Sequence, residues 1–509
     1  MPESKPLRIP TPSLQGEVVG VLDEGTDVAQ FRGIPYASVT KRWTHSVTKH
    51  SIGGGGVLDA TQYGPRCSQA DGMVLVSGGL NDPTPGDDEF KCLNLNVAVP
   101  AEALRGNKTT PLPVMYAREC GAPFILVQIN YRLGAFGCAL ASDLAEELGT
   151  GTREQPLGNF ALVDQRNGLE WVNRHIQDFG GDASRITVFG VSAGSASVHM
   201  HLLAGETHQL FDRAIMMSGT GPVMCPLPAE FYQAEWDSLC RKSGVTAAEP
   251  ARRLEQLRSL SPQTIIQNST KAALAPVGDG KLLPATWRFA DEVPRHRCKD
   301  IILGDTNVEG LIFDGVLARL SQDRFHEVVQ AELAPELVAE LYEGFGFTKE
   351  RQSADSFRKA FRLLVGNVLF NYPTLGIAEA STKSKTWADH VFLYHFEEPS
   401  PFQGPTRGLS YHGLCAMLLH LNELDQCPEP TKKVSLYAAQ VWAKFAHGEQ
   451  PWEPYSQRKR FMRFGPGGES GLHDLDTDTT RASGFHGFLE RHLPEAARVI
   501  NALLEGTDN

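Results

Sequence analysis

RITVFGVSAGSAS, residues 185–197, is the stretch that decides the fold. Its first part, Arg185 to Phe189, is β-branched and apolar and reads as a short buried strand. Its last part opens an Ala/Ser-rich segment, 193–204, that reads as a helix. Between them stands Gly190-Val191-Ser192-Ala193-Gly194, a G-x-S-x-G match. Five residues of that kind occur by chance, so the setting carries the meaning: a strand, a sharp turn and a helix. Such a turn forces strained backbone angles on its serine. Glycines two residues to either side let strand and helix approach without Cβ clashes. The helix N-terminus favours negative charge beside Ser192. A serine that merely capped an ordinary helix would need no glycine on both sides. Ser192 is therefore the candidate nucleophile, and the Ala193 backbone N–H is a candidate donor to an oxyanion.

Outward from this turn, strand-like and helix-like segments alternate, the pattern of βαβ units and a mostly parallel sheet. PFILVQINY, 123–131, has the continuous apolar pattern of a buried strand. Residues 161–177 place Leu162, Leu169, Val172 and Ile176 on one helical face, with a stop at Gly180-Gly181. RAIMMS at 213–218, DIIL at 300–303 and VFLYHF at 391–396 are further strands, and 434–447 is an amphipathic helix ending at Gly448. SIGGGGV at 51–57 is a loop without the lysine of a phosphate cradle. The expectation is α/β architecture, a mostly parallel central sheet flanked by helices, with residues 1–509 forming one catalytic domain.

Composition closes off other classes. The chain has 48 Lys+Arg against 60 Asp+Glu and no dense basic run, which speaks against nucleic acid as a partner. No stretch approaches the roughly 20 apolar residues of a membrane span. The N-terminus, Met-Pro-Glu-Ser-Lys-Pro, shows no apolar signal region, so a cytoplasmic location is expected. The nine cysteines contain no C-x-x-C pair, and neither a metal nor any other cofactor is expected. Two sequons, at Asn107 and Asn268, read as chance matches in that compartment. Nothing in the sequence bears on oligomeric state.

A serine hydroxyl needs a base, and the base needs an acid to orient it. In a fold with this turn the partners follow in the order serine, acid, histidine. Order alone selects little among 16 histidines. Two segments stand out by position. ILGDTNVEG, 302–310, places Glu309 after an apolar strand on a loop closed by Gly310. YHGLC, 411–415, places His412 on a glycine-bounded stretch after the strand at 391–396. A surface glutamate and a satisfied loop histidine remain open readings from position alone.

The chain resembles the type-B carboxylesterases, α/β-hydrolases that include cholinesterases and many fungal esterases. The resemblance runs through FRGIPYA (31–37), CLNLNV (92–97), INYRLGAFG (129–137) and GNFALVDQRNGLEWVNRHIQDFGGD (158–182). It continues through VFGVSAGSAS (188–197), MSG (217–219), GDTNVEG and YHG. It implies that Ser192, Glu309 and His412 form a catalytic triad acting on a small-molecule carboxylic ester. It also implies an early disulfide between Cys67 and Cys92, which a reducing cytosol would keep as thiols.

Three departures from the family bear on activity. Val191 stands where many relatives have a glutamate beside the nucleophile. The interval Cys67–Cys92 has no tryptophan, and Phe90 is its only aromatic, so no cage for a quaternary ammonium is visible. A neutral ester is the expected substrate. Third, relatives carry a strand ending in His-Gly-Gly-Gly, whose glycine N–H groups bind the oxyanion. Here PLPVM, 111–115, passes straight to YARECGAPF, so this central strand and its loop are truncated after Met115. On the order of two dozen residues are missing from the family pattern. Only the Ala193 donor is identifiable. An impaired esterase, a catalytically silent binding protein on the same fold, and an incompletely joined coding sequence of an active esterase are all compatible with that gap.

Overall fold

A computed structural model of the chain describes residues 4–53, 55–69, 85–105, 112–114, 122–149, 151–204, 209–269, 275–285, 298–383, 388–421, 424–475 and 485–505. The N-terminal part is mainly antiparallel. Strands β1 (Ser4–Thr11), β2 (Gly16–Asp23) and β3 (Val28–Pro35) form a meander. A small ribbon follows, β4 (Ala37–Ser38) with β5 (Val47–Thr48), and then β6 (Val57–Asp59), which adds to β2. Strand β7 (Asn94–Pro100) pairs with β3. Next come β8 (Leu112–Val114) and β9 (Leu126–Ile129); β9 pairs antiparallel with β7.

The second sheet is the mostly parallel one expected of an α/β chain. It is built from β8 together with β10 (Gly181–Val191), β11 (Arg213–Met217), β12 (Asp300–Thr306), β13 (His390–Phe396), β14 (Arg460–Phe464) and β15 (Ser470–Asp474). Strands β10 to β14 run parallel, and β15 closes the edge antiparallel. Val191, Met217, Gly304 and Tyr394 share one register row. The segments that leave β10 to β13 therefore emerge at one level along the carboxyl ends, where open α/β sheets gather their sites.

Apart from the β4–β5 ribbon the ladders form two sheets, and β8 and β9 fall in different ones. β8 pairs with β10 at Gly181 and Ile186 only, and no ladder joins β8 to β9 among the described residues. A crossover between neighbouring parallel strands takes about a dozen or more residues. Only residues 115–125 lie between β8 and β9. β8 stops at Val114; the expected end at Met115 and the stretch to Gly121 lie outside the described residues. A strand inside a parallel sheet is ordinarily buried on both faces. Here Val188, Phe189 and Val191 of β10 are only partly buried, and Gln128 of β9 is exposed.

Helices cover the sheets as their patterning predicts. Phe160–His175 buries Phe160, Val163, Trp171 and Val172, and its 3-10 extension ends at the left-handed Gly180. The helix Glu429–Ala446 packs Trp442 against Tyr394 and Phe464. Away from the sheets, Ala354–Gly366 begins with Ser353 accepting from the Ser356 N–H, and buries Phe357, Ala360, Phe361, Leu364 and Val365 in a core shared with other helices. Two fully buried ion pairs brace the N-terminal half: Arg132 Nε on Asp164 at 2.7 Å, and Arg42 Nε on Glu89 at 2.7 Å. Cys67 and Cys92 are both buried free thiols, and a hydrogen bond from Cys67 together with burial raises the Cys92 thiol far above its ordinary value.

Candidate active site

Ser192 sits between β10 and the helix Ala193–Leu203 with φ 57° and ψ −120°. A side chain other than glycine rarely adopts that backbone region, and where it does the surrounding structure holds it. Here the Ser192 N–H donates to the Met217 carbonyl at 2.9 Å, and the Ser192 carbonyl accepts from the Ala196 N–H at 2.9 Å. The two flanking glycines differ. A Cβ on Gly190 would lie 2.3 Å from the Gly194 carbonyl carbon, so strand and helix can meet only if residue 190 is glycine. A Cβ on Gly194 would meet nothing within 4 Å, so close approach accounts for the first glycine alone. Ala193 is the first residue of its helix, and its N–H therefore has no intrahelical acceptor.

Glu309 is 1% exposed and opens a 3-10 turn, Glu309–Phe313. A plain loop was expected, but the residue is locked into a turn packed on the helix Ala354–Gly366. A Cβ on Gly310 would lie 2.1 Å from the Arg362 carbonyl oxygen of that helix. Both carboxylate oxygens are engaged. Oε1 accepts from the Thr306 N–H at 2.6 Å, and Oε2 accepts from His412 Nδ1 at 2.5 Å. The acidic and the histidine candidates, 103 positions apart in sequence, are thus brought together.

His412 lies on the stretch between Tyr411 and the helix Leu414–Leu419. The Val308 N–H donates to the Ser410 carbonyl at 2.8 Å, which ties this stretch to the segment carrying Glu309. Because Nδ1 faces the carboxylate, it carries the proton, and Nε2 is the nitrogen free to act as a base. Among the described residues, no hydrogen bond joins His412 Nε2 to Ser192 Oγ in this structure. Behind the pair lie Cys415, Tyr394 and Ser218, all fully buried. Burial first and the Glu309 charge second raise the Cys415 thiol to about 12. That thiol is therefore protonated.

Several of these neighbours carried no sequence signal. Thr306 lies inside GDTNVEG and Cys415 inside YHGLC, but Tyr394 and the helical residues Phe370 and Asn371 reach the site only through folding. Among the described residues no group of three or more His, Cys, Asp or Glu is placed to hold a metal ion. No helix there is long and apolar enough to cross a membrane. A crevice lined by Trp43, Tyr232 and Trp236 adjoins other elements and includes none of the three candidate residues. Asn268 of the second sequon ends a helix and donates through Nδ2 to Ser243 Oγ at 3.0 Å; Asn107 lies outside the described residues.

Comparison with known proteins bears on the family of the chain. The model of the Carboxylesterase family matches residues 3–122 and 116–483, two segments that meet at the break between β8 and β9. Lipase 3 of Yarrowia lipolytica is 26% identical over 491 residues, covering 88% of this chain and 90% of that protein. The acetylcholinesterase of Bungarus fasciatus is 27% identical over 513 residues, covering 87% of this chain and 78% of that one. The pyrethroid hydrolase Ces2a of Mus musculus is 26% identical over 486 residues, covering 86% and 82%. With the α/β architecture and a family match along most of its length, this chain belongs to the carboxylesterase family, whose members are serine hydrolases of carboxylic esters.

Proposed function

We propose that this chain hydrolyses neutral carboxylic esters through an acyl-enzyme, with Ser192 as nucleophile, His412 as base and Glu309 as acid. The observation that carries the reading is the buried Glu309–His412 hydrogen bond at the level of the strained Ser192 turn. Ser192 Oγ attacks the ester carbonyl carbon while its proton passes to His412 Nε2. Collapse of the tetrahedral intermediate breaks the bond to the alkoxide, which takes that proton and leaves as the alcohol. Water then repeats the sequence and releases the acid. Glu309 keeps the proton on Nδ1 and stabilises the imidazolium as it forms.

The substrate reading rests on the residue beside the nucleophile and on the composition of the interval Cys67–Cys92. Val191 offers no carboxylate to a cation, and the interval Cys67–Cys92 offers no tryptophan face. An uncharged butyrate ester should show a higher kcat/KM than butyrylcholine; the reverse order would overturn the neutral-ester reading.

Catalysis by the written chain is weak in this proposal, because Ala193 supplies the one identifiable oxyanion donor. A silent binding protein is the second reading, and the divided sheet is the observation in its favour. An activated fluorophosphonate separates them. Labelling of Ser192, located by peptide mass spectrometry, supports the enzyme, and a folded chain left unlabelled supports the binder. A cytosolic location is proposed with it, and fractionation of cells carrying the tagged chain tests that point.

A further inference from the structure

The helix that begins at Ala354 changes its winding within reach of the acid–base pair. It runs regularly to Gly366, makes a single π-helical turn over Asn367–Asn371, and resumes as Tyr372–Lys383. A π-turn inserts one residue into an α-helix and breaks the i→i−4 ladder, so it survives only where tertiary contacts hold it. The contacts here lead to the site from two sides. Phe370, fully buried, meets the His412 ring edge to face, with centroids 4.8 Å apart and planes at 64°. Its neighbour Asn371 donates through Nδ2 to the Thr306 carbonyl at 3.0 Å. The N–H of the same Thr306 donates to Glu309 Oε1. Just before the turn, a Cβ on Gly366 would lie 2.9 Å from the Gly310 nitrogen and 3.5 Å from Glu309 Cβ.

Consecutive residues of a regular α-helix stand about 100° apart around the axis, so they do not ordinarily serve one target. The extra residue of the π-turn re-aims this stretch, and Phe370 reaches the base while Asn371 reaches the support of the acid. We infer that the π-turn Asn367–Asn371 is a positioning device for the acid–base pair, in which Phe370 sets the plane of the His412 ring and Asn371 fixes the Thr306 peptide that holds Glu309. This rests on the triad reading above. Neither residue touches substrate; both act through other residues. With its ring plane held, His412 keeps Nδ1 on Glu309 and presents Nε2 outward. Without Phe370 the ring can rotate about its outer torsion, a soft motion for an aromatic side chain.

The test uses the full chain with Phe370→Met, which nearly keeps volume, and with Asn371→Ala. The first readout is the rate of Ser192 labelling by an activated fluorophosphonate, which needs the acid–base pair and one turnover. Phe370→Met should slow labelling about tenfold and Asn371→Ala about threefold, each with little change in thermal midpoint. The second readout is the downfield proton resonance of His412 Nδ1–H, which is identified by its loss in His412→Ala. It should broaden or move upfield in both variants, a change that simple loss of stability would not produce in a folded chain. In a His412→Ala background, Phe370→Met should cost nothing further, because its effect runs through the missing ring. Wild-type labelling rates with an unmoved resonance in folded variants would overturn the inference and leave the triad standing. A wild-type chain that never labels at Ser192 would overturn the triad reading instead, and the resonance alone then decides whether Phe370 orders His412.

Discussion

Glu309 has both carboxylate oxygens occupied, by the Thr306 N–H and by His412. By contrast, the flank of β10 that faces β8 has no ladder partner beyond Ile186 among the described residues. These two regions lie on either side of one serine. The acid–base side is assembled from segments that follow β12 and β13, steadied by the π-turn behind them. Its contacts are short and local to the carboxyl ends of an intact parallel sheet. On the other side, only residues 115–125 lie between β8 and β9. In the proposed reading, a shortened connection on one side of the serine leaves the contacts on the other side in place.

Removing the intact side should have the largest effect. Ser192→Ala should lower p-nitrophenyl butyrate hydrolysis by about 10⁴-fold or to background, and His412→Ala nearly as far, since the triad acts as a unit. Ser192→Ala hydrolysing at the wild-type rate would remove this serine from the chemistry.

Rebuilding the other side is the sharper experiment. Inserting a family-length His-Gly-Gly segment after Met115 should raise kcat by about 10²–10³ for each oxyanion donor regained. KM should change less, because these donors meet charge that develops only in the transition state. Circular dichroism and melting of both chains would distinguish repaired catalysis from repaired folding. If the unmodified chain folds and its kcat is within a few-fold of the rebuilt one, some other group binds the oxyanion.

The flank of the gap also makes a demand on stability. Asp164 accepts from Arg132 Nε at 2.7 Å and from the Arg132 backbone N–H at 3.2 Å, just beyond β9. Asp164→Ala leaves the Arg132 charge buried alone and should cost about 3–5 kcal/mol in urea unfolding. A loss below about 1 kcal/mol would mean that water reaches Arg132 through the gap and replaces the carboxylate.

The smallest predicted effect is a pH slope. Burial lowers His199 and His201 to about 3, and lowers His45 and His175 to about 4. The unfolded chain protonates its histidines near 6.5, so it binds more protons than the folded chain below that pH. These groups therefore favour the native state fully above about pH 6.5, and that contribution falls as pH drops toward 4 and then 3. The loss is on the order of 3–5 kcal/mol per group when complete, and only a part of it develops by pH 5. His201→Gln, which can keep a bond to Gln165, should flatten the slope between pH 6.5 and 5. An identical slope in that variant would place the titration elsewhere.

The sequence by itself determined whatever depends on neighbours in the chain. The G-x-S-x-G turn, the helix over 161–177 with its stop at Gly180-Gly181 and four of the five strands β10 to β14 were legible in spacing and residue type, because local backbone preferences act over a few residues, whereas the absent His-Gly-Gly segment was legible only through the family resemblance. Motif resemblance singled out Glu309 and His412, but spacing could not show that they touch. Only the tertiary structure decided that Glu309 opens a tight turn instead of a plain loop, and that Gly190 is sterically required while Gly194 is not. It alone brought Phe370 and Asn371 to the site. It also turned the short connection after Val114 into a division between two sheets. The physical reason is the same in each case. These features are contacts between segments tens to hundreds of residues apart, and their energies exist only once the sheet register has set those segments side by side.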